Sequence, residues 1–164
     1  MTGNLPYNIS SQIVFKLCDE HHVFPFACLL FQKEVAQRIA AAPFSKSYGV
    51  LSLAAQHFYD VKMEMDISPH LFKPQPKVVS TLVSFKRRES GPFAKDYKAF
   101  LRVVKAGFSQ RRKKIINALS SYLKMDKSEL LKALEEAGID PNSRAEQVGL
   151  EQFIKLSDSM SEKG

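Results

Sequence analysis

The run Asn4-Leu5-Pro6-Tyr7 has the residue types needed to hold a nucleobase by its exocyclic amino group. The amide oxygen of Asn4 and the main-chain carbonyl of Leu5 are two acceptors, which match the two N–H donors of an amino group. Pro6 lacks an N–H and has a fixed φ. The ring of Tyr7 can stack on the base, which contributes about 1–3 kcal/mol per base. The run therefore indicates chemistry at N6 of adenine. The alternative is a proline-containing turn between a strand and a helix.

Four further segments follow this run in order along the chain. They are residues 31–35 (FQKEV), 45–52 (SKSYGVLS), 72–78 (FKPQPKV) and 108–113 (FSQRRK). Together with residues 3–10 (GNLPYNIS), they resemble the KsgA family of rRNA adenine N6,N6-dimethyltransferases over nearly the whole chain. The resemblance implies a class I (Rossmann-like) methyltransferase fold, S-adenosylmethionine as methyl donor, and adjacent adenines of small-subunit rRNA as substrate. It also implies the small subunit or its precursor as partner.

The same resemblance assigns roles to individual residues. Asn4, Leu5, Pro6 and Tyr7 would be catalytic, Asn4 would also contact the cofactor, and Tyr7 and Phe72 would stack on the target base. Catalysis would consist of positioning the N6 amine against an already electrophilic sulfonium methyl group. The adenine must be unpaired, or extruded from a helix, to reach such a pocket. Without the resemblance, a core position suits Phe72 about equally well.

The glycines of the sequence do not form a cofactor-binding pattern. The seven positions 3, 49, 91, 107, 138, 149 and 164 give no G-x-G-x-x-G run or looser variant of it. We therefore expect the C-terminal portion of a methyltransferase, which in isolation is inactive and binds S-adenosylmethionine poorly. A sheet lacking its neighbouring strands would also expose an edge, which favours self-association.

Basic residues are predicted to bind the RNA backbone. The predicted set is Lys77, Arg87, Arg88, Arg111, Arg112, Lys113 and Lys114. Residues 111–114 are predicted to begin a helix capped by Ser109. At that position the helix macrodipole destabilises each cation by about 0.3–1 kcal/mol, whereas it stabilises a bound phosphate. Lys33, Arg38 and Lys86 are weaker candidates. The alternative for the whole set is a solvated charge run.

Composition favours a polyanionic partner. The chain carries a net charge of +7, with a pI near 9.4. Its longest apolar stretch, residues 23–31, is too short to span a bilayer, so we expect no membrane association. Two cysteines imply no disulfide framework, and a cytoplasmic location is expected.

Hydrophobic periodicity divides the chain near residues 89–92 (ESGP). Residues 1–89 are predicted to form the second half of a methyltransferase α/β sheet, and residues 90–164 a small all-helical RNA-binding domain. The predicted strands are residues 26–31, 61–67 and 81–85. The predicted helices begin near residues 9, 33, 48, 100, 115, 127 and 150.

Three other functions remain as alternatives. The first is a nonenzymatic RNA-binding or ribosome-assembly module, in which Asn4 would have no catalytic role. The second is a DNA adenine methyltransferase, which the downstream segments disfavour. The third is a metal site at Cys18, Asp19, His21 and His22, which is disfavoured because adjacent histidines point in different directions and no second pair of ligands recurs.

Overall fold

The computed structural model describes residues 1–4 and 7–161, with the backbone alone for Asn4 and Tyr7. The chain forms two compact units. The first contains Met1–Ala42 and Leu51–Ser90, and the second contains Pro43–Val50 and the chain from Gly91 onward. Segment 43–50, which the sequence groups with the first domain, thus belongs to the helical unit.

A four-stranded mixed sheet forms the first unit. Its strands are β1 (Thr2–Asn4), β2 (Phe26–Gln32), β3 (Tyr59–Ile67) and β4 (Ser80–Arg87), in the order β1-β2-β4-β3. Strand β1 is parallel to β2, whereas β4 is antiparallel to both β2 and β3. An α/β sheet is what the sequence predicts, and the structure adds that its pairing is mixed.

Strand β2 is the central apolar strand of this unit. Ala27, Leu29, Leu30 and Phe31 are all buried, as predicted for a strand covered on both faces. Strand β3 departs from its predicted alternation. Its register shifts between Met63 and Met65, and Met65 is 59% exposed. A bulge changes the face to which following side chains point, which the apolar pattern alone does not reveal.

Three α-helices accompany the sheet: α1 (Ser10–Asp19), α2 (Lys33–Ile39) and α3 (Val50–Phe58). Helix α1 buries Val14, Leu17 and Cys18 at helical spacing. Its N-cap residue is Ile9, which makes no side-chain cap bond, so neither Ser10 nor Ser11 caps this helix. Short 3-10 turns occur at Tyr7–Ile9 and Pro69–Leu71.

The second unit packs four helices around one apolar core. They are α4 (Tyr97–Phe108), α5 (Ile115–Leu123), α6 (Lys127–Glu136) and α7 (Leu150–Ser161), with a 3-10 turn at Ala145–Gln147. The core includes Phe100, Leu119, Leu130 and Phe153, each fully buried. No helix in the described part of the chain is both long and apolar enough to cross a membrane.

The connection between α4 and α5 corrects the position of one predicted cap. Ser109 is the C-terminal cap residue of α4, and its hydroxyl donates to the Ala106 carbonyl at 2.7 Å. Helix α5 begins only at Ile115, with Lys114 as its N-cap. The basic run therefore lies between the negative end of one helix dipole and the positive end of the next. The helix macrodipole therefore does not distinguish this run from other exposed cations.

Candidate nucleic-acid interface

The Asn-Leu-Pro-Tyr run begins at the carboxyl end of a parallel strand. Strand β1 ends at Asn4, whose Cα pairs with Leu30 of β2. Ligands of open α/β sheets bind beyond the carboxyl ends of parallel strands, so the run occupies a suitable place. Leu5, Pro6 and the side chains of Asn4 and Tyr7 lie outside the described residues. Their base-holding geometry therefore stays a prediction.

The connection between β3 and β4 lies at the same end of the sheet. Gln32, at the carboxyl end of β2, pairs with Ser80, which in turn pairs with Ile67 at the end of β3. Residues 68–79 join these two strand ends and carry Phe72, which is half-buried. The topology therefore brings both predicted base-holding segments to one end of the sheet.

An ion pair fixes this end of the sheet. Lys33 Nζ contacts a carboxylate oxygen of Asp66, and the Thr81 hydroxyl donates to the other oxygen at 2.7 Å. The hydrogen bonds from Lys33 and then Thr81 lower the pKa of Asp66. The main-chain N–H of Lys33 also donates to the main-chain carbonyl of Val79 at 3.0 Å. Lys33, a weak candidate for RNA binding, is therefore engaged in holding the connection in place.

Two of the predicted RNA-binding arginines contact carbonyl groups within the first unit. Arg87 Nη1 donates to the carbonyls of His21 and His22 at 3.4 and 3.1 Å. Arg88 Nη1 donates to the Gln56 carbonyl at 3.4 Å. Both side chains therefore connect the end of β4, and the residue that follows it, to neighbouring segments.

Arg111 is a structural cross-link in the helical unit. Its Nη2 atom donates to the carbonyls of Lys46 and Tyr48 at 3.0 and 2.9 Å. The same atom lies 3.5 Å from a Glu146 carboxylate oxygen, and Cζ lies 5.7 Å from the centre of the Phe108 ring. Arg111 thereby attaches segment 43–50 to helix α4.

The other members of the basic set are more exposed. Lys114 Nζ donates to Asn142 Oδ1 at 2.7 Å. Arg112, Lys113 and Lys77 are exposed, and their side chains make no hydrogen bond or ion pair within the described residues. These three are the cations of the set best placed for a partner.

Segment 43–50 contains one buried and one strongly exposed aromatic side chain. Tyr48 is buried and its hydroxyl donates to the Val148 carbonyl at 3.1 Å, and burial raises its pKa well above the usual range. Phe44 is 76% exposed and has a φ of 69°. Such a φ is strained for a bulky residue. Its main-chain N–H donates to the Glu146 carbonyl at 2.8 Å, which helps to hold this conformation.

The disfavoured metal site finds no geometric support. Cys18 is buried and its thiol contacts the Ala54 carbonyl at 3.3 Å, whereas His21 stacks on Phe58 with 3.8 Å between ring centroids. His22 is exposed. Within residues 1–4 and 7–161, no three His, Cys, Asp or Glu side chains group in a way that could hold a metal ion.

Comparison with solved structures places this architecture among methyltransferases with a Rossmann-like α/β fold. A dimethyladenosine transferase from Plasmodium falciparum superposes with a TM-score of 0.79 at 27% identity, covering 94% of this chain and 64% of that one. The 23S rRNA methyltransferase ErmE, at 24% identity, shares the fold with a TM-score of 0.67, covering 98% of this chain and 64% of its own.

The family model described as "Ribosomal RNA adenine dimethylase" matches residues 1–162, and the chain belongs to this family. Relatives named "Ribosomal RNA small subunit methyltransferase A" include one from Desulforapulum autotrophicum, 43% identical over 160 residues, which are 96% of this chain and 56% of the relative. Another, from Syntrophotalea carbinolica, is 45% identical over 159 residues, which are 96% of this chain and 60% of the relative. The chain thus spans well under two thirds of the length of these relatives.

Proposed function

We propose that this chain carries the base-holding loop and an RNA-binding unit of an rRNA adenine N6,N6-dimethyltransferase. The whole protein would transfer methyl groups from S-adenosylmethionine to adjacent adenines of small-subunit rRNA. The observation that carries this proposal is topological. The Asn-Leu-Pro-Tyr run begins where β1 ends, at the same end of the sheet as the connection that bears Phe72.

The proposed chemistry of this chain is positioning. Asn4 and the Leu5 carbonyl would accept the two N6 hydrogens of an extruded adenine, which turns the nitrogen lone pair out of conjugation with the ring. Tyr7 and Phe72 would clamp the base by stacking. No covalent enzyme intermediate is needed, because holding the amine in an attack geometry supplies the rate gain.

The described residues do not provide a cradle for S-adenosylmethionine. In the described sheet, β1 and β2 are the only neighbouring strands that pair in parallel. Residues 5–9, after β1, contain no glycine, and β2 passes directly into α2. A cofactor backed by a glycine-rich turn therefore does not fit these strand ends alone. We propose this cofactor for the whole protein, with Asn4 as the contact from this chain, and derive no step through it.

RNA binding is proposed for the exposed cations first. Lys77 lies in the same connection as Phe72, so it is suited to a phosphate next to the extruded base. Arg112 and Lys113 would contact the backbone of the same RNA from the helical unit. Phosphate contacts by Arg87, Arg88, Arg111 and Lys114 stay predictions, since these residues also hold the fold. A small ribosomal subunit or its precursor is the proposed partner, and the cytoplasm the proposed location.

A second candidate function is a nonenzymatic RNA-binding or assembly module. This second function is favoured for the chain alone, because no turn that contains glycine follows the described parallel strands. Titration calorimetry of the folded chain with S-adenosylmethionine tests whether this chain binds the cofactor by itself. We expect no saturable binding, whereas one-to-one binding would show that these residues form a cofactor pocket.

Asn4→Ala in the complete protein tests the catalytic proposal. We expect methylation of a small-subunit rRNA substrate to fall by 100-fold or more, on the order of the loss when a positioning contact is removed. RNA affinity should change less than twofold. Asn8→Ala, at an exposed position four residues further on, is the matched control. Full activity of the Asn4 variant would refute the role given to Asn4 and favour the nonenzymatic module.

A further inference from the structure

Helix α4 carries three exposed cations on one face, outside the basic set described above. Lys98, Arg102 and Lys105 follow each other at helical spacing i, i+4, i+7 and are all exposed. At 1.5 Å per residue they span about 10.5 Å of the helix. The row therefore concentrates positive charge along one face of α4, as a strand of phosphates requires.

The row borders two adjoining hollows of the helical unit. One is a cavity of about 500 Å³ whose lining includes Val103, Leu123, Met125 and Met160. The other is a shallow groove that contains Leu101, Lys105 and Tyr122. Lys98 and Arg102 line both, so they form the ridge between the hollows. Tyr122 is 50% exposed and is the aromatic side chain in the groove.

The charge of these hollows is positive. Asp96 is the one carboxylate among their lining residues. It caps α4, with Oδ1 accepting from the N–H groups of Lys98 and Ala99 at 2.7 and 3.2 Å. The side chains of Lys98 and Arg102 make no ion pair or hydrogen bond within the described residues. An anionic ligand would therefore neutralise charges that the fold leaves unpaired.

We propose that this face of α4 binds a single strand of RNA. The phosphates follow Lys98, Arg102 and Lys105, while one base stacks on Tyr122 and a neighbouring base enters the cavity beside Met125 and Met160. An unpaired strand is favoured over a duplex because a duplex presents only its backbone here and would use neither the exposed ring nor the cavity. This contact adds to the proposed function and needs no adenine at the Asn4 run.

A binding titration with an adenine-free single-stranded RNA of 20 nucleotides tests the proposal separately from the base-holding run. The test variant combines Lys98→Ala, Arg102→Ala and Lys105→Ala. The matched control combines Lys127→Ala, Lys132→Ala and Lys155→Ala, exposed lysines on α6 and α7 of the same unit. Both variants lose three charges at exposed sites, and matching thermal unfolding midpoints confirm that both are folded.

The test variant should bind more weakly than the control, and its log–log salt slope should be flatter by about 2, at about 0.7 per phosphate contact on a single strand. Equal affinities and slopes for the two variants overturn the proposal. A duplex of the same sequence that competes as well as the single strand overturns it too.

Tyr122 gives an independent readout. Tyr122→Ala should weaken binding by about fivefold or more, whereas Tyr122→Phe keeps the ring and should bind within about twofold of the original chain. Equal losses for the two variants would assign the effect to the hydroxyl and reject the stacked base. Methylation of an adenine-containing substrate is measured in parallel in the complete protein. Activity lost by Asn4→Ala with adenine-free binding retained shows that the two sites are separate.

Discussion

The guanidinium of Arg111 stabilises the fold through contacts within the chain. Its hydrogen bonds to the carbonyls of Lys46 and Tyr48 join residues more than sixty positions apart in the chain. A hydrogen bond that involves a charged group contributes about 1.5–3 kcal/mol, more than a neutral one. A loss of RNA affinity in an Arg111 variant would therefore combine a lost contact with a loosened segment 43–50.

Arg111→Ala should lower the free energy of unfolding by about 2 kcal/mol, because two carbonyl contacts and the packing on Phe108 are lost together. Urea unfolding measures the change. The adjacent Arg112→Ala removes the same charge from an exposed side chain and should stay within about 0.5 kcal/mol of the original. Equal stabilities of the two variants would contradict the cross-link.

His57 makes the stability of the chain dependent on pH. Burial lowers its pKa to about 4, and electrostatic interactions with Arg88 and then His21 act in the same direction. The ordinary value is about 6.5, so the unfolded chain takes up a proton before the folded chain does. The stabilisation is complete above about pH 6.5 and is lost as the pH falls towards 4, by up to about 3 kcal/mol.

Urea unfolding at pH 7 and pH 5 checks this expectation. The original chain should be about 2 kcal/mol less stable at pH 5 through His57. His57→Gln should reduce that difference, whatever its own effect on stability. His70→Gln, at an exposed position, should leave the difference unchanged. An identical pH dependence in the original and the His57 variant would refute the assignment.

At the scale of elements, the end of α6 illustrates how local sequence fixes a helix boundary. Ala137 caps the helix and Gly138 follows with a φ of 67°. The Ile139 N–H donates to the Leu134 carbonyl at 2.8 Å, and the Gly138 N–H donates to the Glu135 carbonyl at 2.9 Å. These two bonds form a Schellman motif, which the order Gly-Ile-x-Pro predicts.

Gly138→Ala should destabilise the chain by about 1 kcal/mol. A Cβ at this position meets no atom within 4 Å, so the cost comes from the left-handed backbone conformation alone. Gly149→Ala is the control, because its Cβ would make an ordinary contact with Gln152 at 3.7 Å and its φ is not positive. Thermal unfolding that ranks the two variants in the opposite order would contradict this explanation.

The elements were predictable to the extent that their signals are local. The apolar run of β2 and the spacing of Val14, Leu17 and Cys18 in α1 reflect burial directly. Ser109 misled the prediction because a serine hydroxyl bonds at either end of a helix, and the last apolar residue of α4 directly precedes it. The bulge in β3 depends on pairing with β4, which a single strand does not encode.

The same limit applies to the candidate site. The order of the segments predicted the family. The partners of Arg111 could not be predicted, because they arise from packing between segments far apart in sequence. The row at Lys98, Arg102 and Lys105 had a readable signal in its helical spacing. Its charges are not consecutive, so it does not stand out in the sequence as a basic run.

At the scale of the whole molecule, β1 forms an edge of the sheet that pairs with no further strand within the described residues. Strand β1 pairs with β2 alone in the described sheet, and the Met1 carbonyl accepts from the Cys28 N–H at 2.8 Å on that paired side. The other edge of β1 therefore offers main-chain groups to a further strand. A net charge of +7 opposes such pairing through repulsion between copies.

Sedimentation velocity of the 164-residue chain should therefore show concentration-dependent self-association that increases with salt, because salt screens the repulsion between copies. A substitution of Thr2 by proline removes one N–H donor from β1 and should reduce the association if that edge is involved. A single monomeric species at every salt and protein concentration would rule out the edge as a contact between copies.

Phe44 gives the helical unit a built-in reporter of local opening. Its ring is 76% exposed, while the backbone around it is held by Glu146 and, through Lys46 and Tyr48, by Arg111. A protease that cuts after aromatic residues acts on locally unfolded chain, so segment 43–50 must detach before cleavage. The rate of cutting at Phe44 thus measures how often the segment is released, and bound RNA that stabilises this unit should slow it.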